Sequence, residues 1–218
     1  RNRKISQDHK PFIIAEMSGN HNNSLEKALK IVEKAAQCGA DAIKLQTYTA
    51  DTITIDCNNS EFNINDKNSL WYGKNLYDLY KQAHTPWEWH EKIFQCAKDN
   101  DIICFSSAFD ETSVDFLNSL NVPAFKIASF ENNHIPLIKK IAQLNKPVII
   151  STGMATIGEL ETVVQIMKDY NNYQNLILLK CTSNYPASND NSNLLTIPHM
   201  KSLFNCQVGL SDHTLGNG

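Results

Sequence analysis

An α/β architecture of the (β/α)8-barrel type, ending after about seven strands, is predicted by three features of the sequence. Short β-branched apolar runs alternate with longer segments of helical period. Their spacings suit consecutive parallel βα units. No GxGxxG or P-loop follows any strand, which removes the main signature of open nucleotide-binding sheets and favours the barrel.

The elements follow in order. A first strand over 11–16 (PFIIAE) leads to a helix over 24–38. Ser24 is its N-cap, Leu25, Ala28, Leu29, Val32 and Ala35–Ala36 form its apolar face, and Gly39 stops it. The second strand spans 42–48. A helix over 86–100 opens with Thr85 as cap and Pro86 at its first position. Strand 102–109, helix 111–120, strand 124–131, helix 135–144, strand 147–154, helix 157–169, strand 176–183, helix 193–204 and strand 207–213 complete the pattern. Between strand two and helix 86–100, residues 49–84 form a long insertion. It carries Trp71, Tyr72, Tyr77 and Tyr80 at partly helical spacing, an arrangement that favours packing over ligand contact.

Composition narrows the function classes. With 42% apolar and 20% charged residues the chain can bury a sizeable core. A net charge of -3 gives no basic surplus for nucleic acid or an anionic membrane, so any anionic ligand is held by a few placed cations. No window is apolar enough to span a membrane, and the polar N-terminus has no signal-peptide stretch, so a cytoplasmic protein is expected. The six cysteines form no CxxC pair and are expected to be reduced; Cys104 and Cys181, inside apolar runs, read as small hydrophobes.

In a barrel the chemistry comes from the C-terminal ends of the strands. Strand one ends at Glu16, followed by Asn20 and His21. Strand two carries Lys44 and Gln46, which share a face. Strand three ends in Ser106–Ser107. Strand four carries Lys126, Ser129 and Glu131, and strand five ends in Ser151–Thr152. Strand six carries Lys180, Thr182 and Ser183, followed by Asn184 and Tyr185, and strand seven ends in Ser211, Asp212 and His213. A lysine inside an apolar strand is costly unless paired or facing a polar cavity. Lys44 and Lys126, near hydroxyls on two strands, point to a small multiply anionic substrate with Ser107, Ser129 and Ser183 as neutral donors. Lys126 and Ser129 differ in strand parity, so both reach one face only through an irregularity. His213 with Asp212 suggests a metal, but no HxH or HExxH partner exists, and His21 is a second candidate on spacing alone.

The strings IIAEMSGNHNNSLEKA, GADAIKLQTY, FSSAFDE, PAFKIASFE, KPVIISTGM, KCTSNYP and VGLSDHT occur in this order. Together they resemble the N-acetylneuraminate (sialic acid) synthase family of phosphoenolpyruvate-condensing barrels over residues 11–216. FKIASFE, with Phe130 where neuraminate enzymes tend to have glycine, and the insertion resemble more closely the pseudaminic acid synthases. The resemblance implies addition of C3 of phosphoenolpyruvate to an amino-sugar aldehyde, with phosphate release and a nine-carbon 2-keto acid as product. It implies that Lys44, Ser107, Lys126, Ser129, Ser183 and Ser211 bind phosphoenolpyruvate, with Ser183 where neuraminate enzymes have asparagine. Glu16, Lys44 and Lys126 are then catalytic, Gln46, Glu131 and Tyr185 face the sugar, and His213 is a ligand of a divalent metal, Mn2+ or Mg2+. It implies a homodimer at full length. The second metal histidine and a C-terminal antifreeze-like domain would fall beyond residue 218, so the 218-residue chain is expected to be inactive.

Two other functions are compatible with the residues. A Schiff-base aldolase would also place a lysine (Lys44, Lys126 or Lys180) inside a strand, and a non-catalytic barrel would bind a sugar or a partner protein. Within the synthase reading, neuraminate and legionaminic acid synthases are the alternatives.

Overall fold

A computed structural model describes residues 4–6, 8–67, 69 and 71–216. The chain forms two compact units, one spanning Phe12–Val122 and the other Pro123–Gly218 together with the N-terminal residues to Pro11.

In the first unit, β1 (Ile14–Glu16), β2 (Ala42–Thr47) and β3 (Ile103–Ala108) pair in parallel in that order. Helix α1 (Leu25–Gln37) connects β1 to β2. Ser24 caps it, accepting from the Lys27 amide, and Gly39 follows at φ +84°, where a side chain would be strained. The insertion contains α2 (Ala50–Ile53) and α3 (Leu76–Ala83), and α4 (His90–Asp99) and α5 (Glu111–Ser119) flank β3. Period two divides the strands. Ile43, Leu45 and Cys104 face α1 and α4, forming a core with Ala28, Val32, Ile93 and Ala97. Lys44, Gln46, Phe105 and Ser107 face the other way.

In the second unit β4 (Phe125–Ile127), β5 (Val148–Ser151), β6 (Leu176–Cys181) and β7 (Gln207–Ser211) pair in parallel in order. They are interleaved with α6 (Ile135–Ala142), α7 (Ile157–Asp169) and α8 (Thr196–Phe204). Leu137, Ile138, Ile141, Val163 and Met167 are buried on the helices, and Phe125, Ile127, Val148 and Ile150 on the strands.

Three expectations are corrected. The strand expected over 124–131 is only three residues long: the chain leaves it at Ala128 and turns through a 3-10 segment, Ser129–Glu131. The helix expected from Pro86 starts instead as a 3-10 turn, Trp87–Trp89, and becomes α-helical at His90. Thr85 does not cap it, because its hydroxyl is used by the buried His21 ring, Nε2 to Oγ1 3.1 Å. The insertion aromatics divide. Tyr80 packs edge-on against Tyr48 and Tyr77 donates to Asp51 at 2.8 Å, whereas Trp71 and Tyr72 are exposed. All six cysteines are free. No helix among the described residues is long and apolar enough to cross a membrane.

His90 joins the two strands to α4. Its Nδ1 donates to the Pro86 carbonyl (3.2 Å), leaving Nε2 to accept from Thr47 Oγ1 (2.8 Å), which in turn lies 2.6 Å from Ser106 Oγ. Burial lowers its pKa from 6.5 to about 4. The unfolded chain therefore takes up a proton that the folded one resists, so this stability is present above pH 6.5 and is lost as pH falls toward 4. His90→Gln keeps an acceptor for Thr47 and removes the titration. Chemical denaturation at pH 7 and 4.5 should show the variant losing about 2 kcal/mol less over that interval than the parent.

Candidate functional site

Each unit gathers charged and hydroxyl side chains at the C-terminal ends of its strands. In the first unit the parallel register sets Glu16 opposite Lys44 and Gln46 opposite Ser107, all on the face away from the helices. Lys44 Nζ lies 2.5 Å from Glu16 Oε1 and 3.3 Å from Ser107 Oγ, and Gln46 Nε2 donates to the same carboxylate oxygen at 3.1 Å. The Lys44 side chain is 10% exposed and that of Glu16 39%, so the pair presents its carboxylate to solvent and keeps its ammonium inside. Four of the residues singled out in the sequence are therefore brought together here.

In the second unit Lys126 is 5% exposed. Its ammonium donates to Ser151 Oγ at 2.6 Å and to the Ile127 carbonyl at 2.8 Å. The parity conflict between Lys126 and Ser129 is resolved by the 3-10 turn, which returns Ser129 to the end of β5, where its Oγ accepts from the Gly153 amide at 3.1 Å. Gly153 has no room for a side chain. A Cβ there would stand 2.1 Å from Ser183 Oγ and 2.8 Å from Ser129 Oγ, so the two serines close over a bare backbone. Glu131 lies in the same turn. Its Oε2 is buried without a hydrogen-bond partner among the described residues, and burial raises the carboxyl's pKa to about 7 against the opposing pull of Lys126. A half-buried carboxyl with a pKa raised to about 7 has the properties of a proton-transfer group.

Asn132, which the sequence reading passed over, is 4% exposed and donates to the carbonyls of Gly153 (3.1 Å) and Ser151 (3.4 Å). Its only sequence signal is adjacency to Glu131. Ser211 closes β7 in register with Cys181, without a hydrogen bond to the other candidates among the described residues. Lys180 belongs to the opposite face of its sheet from Lys126. It donates to Thr182 Oγ1 at 2.6 Å and lies 3.5 Å from the Asn191 carbonyl, so it anchors the loop after β6. Cys181 is not a core hydrophobe, since its Sγ lies 3.8 Å from His213 Nδ1 and 3.9 Å from Ser183 Oγ.

The histidines separate by tautomer. Nδ1 of His21 accepts from the Asn23 amide, so Nε2 carries the proton toward Thr85; the ring is fully buried and both nitrogens are used. His21 is a structural residue, not a metal ligand. His213 Nδ1 donates to the Thr182 carbonyl at 3.0 Å, which leaves Nε2 with a lone pair, as a metal ligand requires. Tyr185, 66% exposed, tilts over this ring at 4.3 Å. Among the described residues no three His, Cys, Asp or Glu side chains cluster to hold an ion. His213 therefore suits the role of one ligand and does not form a metal site by itself.

Gly153→Ala should force Ser183 or Ser129 aside and cost about 1–3 kcal/mol in denaturant unfolding. Adding Ser183→Ala, which removes the oxygen 2.1 Å away, should restore part of that loss; no recovery would mean that Ser129 sets the limit.

The chain is 48% identical over 212 residues to a pseudaminic acid synthase of Campylobacter jejuni, covering 97% of this chain and 61% of that protein. It is 42% identical to a pseudaminic acid synthase of Helicobacter pylori, covering 95% and 60%. An N,N'-diacetyllegionaminic acid synthase of Legionella pneumophila is 39% identical, with 94% and 58% covered. The chain thus spans about three fifths of the length of these relatives. Among solved structures, an N-acetylneuraminic acid (sialic acid) synthetase from Leptospira borgpetersenii superposes with a TM-score of 0.86 at 31% identity, over 99% of this chain and 69% of that one. The α/β-barrel fold class read from the sequence is the fold class of this chain. The model of the NeuB family matches residues 31–218, and with these relatives it establishes that the chain belongs to the NeuB family.

Proposed function

We propose that this chain is the condensing barrel of a pseudaminic acid synthase, joining phosphoenolpyruvate to a 2,4-diacetamido-2,4,6-trideoxy hexose. The observation that carries the reading is the second-unit cluster: a buried lysine, two serines closed over Gly153, and a carboxyl with a pKa of about 7, one oxygen of which is buried without a hydrogen-bond partner among the described residues. Sialic-acid-type synthases among its relatives give that chemistry its substrate class. Lys44, Ser107, Lys126, Ser129, Ser183 and Ser211 are its donors to the phosphate and carboxylate oxygens. Lysines and hydroxyls suit these because each added hydrogen bond to an ionised oxygen is a strong one.

C3 of phosphoenolpyruvate forms the new C–C bond with the sugar aldehyde. Water adds at C2, the C2–O bond breaks, and inorganic phosphate leaves with the ester oxygen, so the product is a 2-keto acid. Glu131, poised near neutrality, takes the proton of that water. Glu16 holds Lys44 and stands where a proton on the reacting carbons or on water can be managed. Gln46 and Tyr185 contact the sugar. His213 would be one ligand of a Mn2+ or Mg2+ ion, which when bound would polarise the aldehyde oxygen, and the full-length protein would form a homodimer. The Schiff-base alternative needs a neutral amine; at Lys44, one of its three candidate lysines, the ion pair with Glu16 opposes that.

Phosphate release by the full-length protein tests this, with phosphoenolpyruvate, Mn2+ and either the 2,4-diacetamido-trideoxy-altrose or N-acetylmannosamine. Release with the altrose alone is expected; release with N-acetylmannosamine alone overturns the sugar assignment, and a borohydride-trapped pyruvate adduct overturns the mechanism. Glu131→Gln should lower kcat by about 100-fold or more and abolish the rate limb near pH 7, since ionised Glu131 is lost as pH falls through its pKa.

A further inference from the structure

We propose that Asn132 is a positioning residue for Glu131: its side-chain amide bolts the turn after β4 onto the end of β5 and so fixes where the Glu131 carboxyl sits. The inference deepens the proton-transfer reading of Glu131 and rests on it.

The turn Ser129–Glu131 has little stability of its own. It is three residues long, and its backbone bonds, from the Glu131 amide to the Ala128 carbonyl (3.2 Å) and from the Asn132 amide to the Ser129 carbonyl (3.4 Å), are of the weak 3-10 kind. What ties it down are bonds to Ser151–Gly153. Asn132 Nδ2 reaches the Gly153 carbonyl at 3.1 Å and the Ser151 carbonyl at 3.4 Å, and the Gly153 amide returns a bond to Ser129 Oγ. Glu131 lies between the two anchored residues.

The chemistry selects asparagine. Both acceptors are carbonyls, so the residue must offer two hydrogens from one atom while remaining uncharged. Aspartate would turn acceptor oxygens toward two carbonyls, and serine has a single hydrogen. The environment of Glu131 depends on this anchoring, because an unpartnered buried carboxyl oxygen acquires water as soon as its turn lifts. Lys126, on β4, is the charged group acting on Glu131, and Ser151, Thr152 and Gly153, to which the turn is bolted, carry no charge.

Asn132→Leu keeps the approximate shape and removes both donors. In the full-length protein, with folding checked by thermal melting, kcat should fall about 10- to 100-fold while the KM for phosphoenolpyruvate stays within about 3-fold. The rate limb that Glu131→Gln abolishes should move toward acid pH, as the carboxyl gains water. Asn132→Ser, with one donor left, should fall between, and it decides by the same readouts if the leucine variant does not fold. A folded variant with parental kcat and limb, or with a raised KM and unchanged kcat, overturns the proposal. Titration of the Glu131 carboxyl by 13C NMR without substrate, assigned by its loss in Glu131→Gln, separates this inference from the proposed function. An acid-shifted midpoint in Asn132→Leu upholds the positioning role even if no sugar supports phosphate release, and an unmoved midpoint overturns it.

Discussion

A lysine ammonium taken out of water must be given partners, and much of the local architecture of this chain follows from meeting that demand twice. Lys44 and Lys126 lie on apolar strands, 8% and 5% exposed. The parallel register of β1 and β2 delivers Glu16 to the first. For the second, the partners include the Ser151 hydroxyl from the neighbouring strand and a carbonyl one residue along its own. The difference matters chemically. Lys44 is matched by the full charge of Glu16 in direct contact, whereas the hydrogen bonds of Lys126 to Ser151 and Ile127 go to neutral oxygens and the Glu131 carboxyl acts on it as a charge.

The same economy shapes the turn after β4. A regular strand would put Lys126 and Ser129 on opposite faces. By abandoning the strand at Ala128 the chain returns Ser129 to the Gly153 amide, buries Glu131 and turns Asn132 onto the β5 carbonyls. That irregularity requires a glycine at position 153, because the space a Cβ would take is filled by Ser129 and Ser183.

Hydrogen-bond accounting assigns the histidines more firmly than their position in the sequence. His21 and His90 each use both ring nitrogens on neighbours inside the first unit, and burial holds each pKa below its ordinary value. They are structural members of the fold. His213 donates from one nitrogen to a carbonyl and keeps the other, the arrangement a metal-ligating imidazole needs.

The sequence by itself determined the order and type of nearly every βα element, because hydrophobic period and caps are local properties; Ser24 before α1 and the β-branched runs of β2 and β5 are examples. It also determined that Lys44 and Gln46 share a face, by period two, and that Glu16 and Ser107 lie at strand ends; the parallel register then brings the four together. Only the tertiary structure decided the end of β4, the opposing faces of Lys126 and Lys180, the use of Thr85 by His21 and the anchoring by Asn132. Each of these depends on a partner tens of residues away or on a break in strand parity. Local propensity carries no record of such a partner, so the environment that raises the Glu131 pKa exists only once the chain has folded.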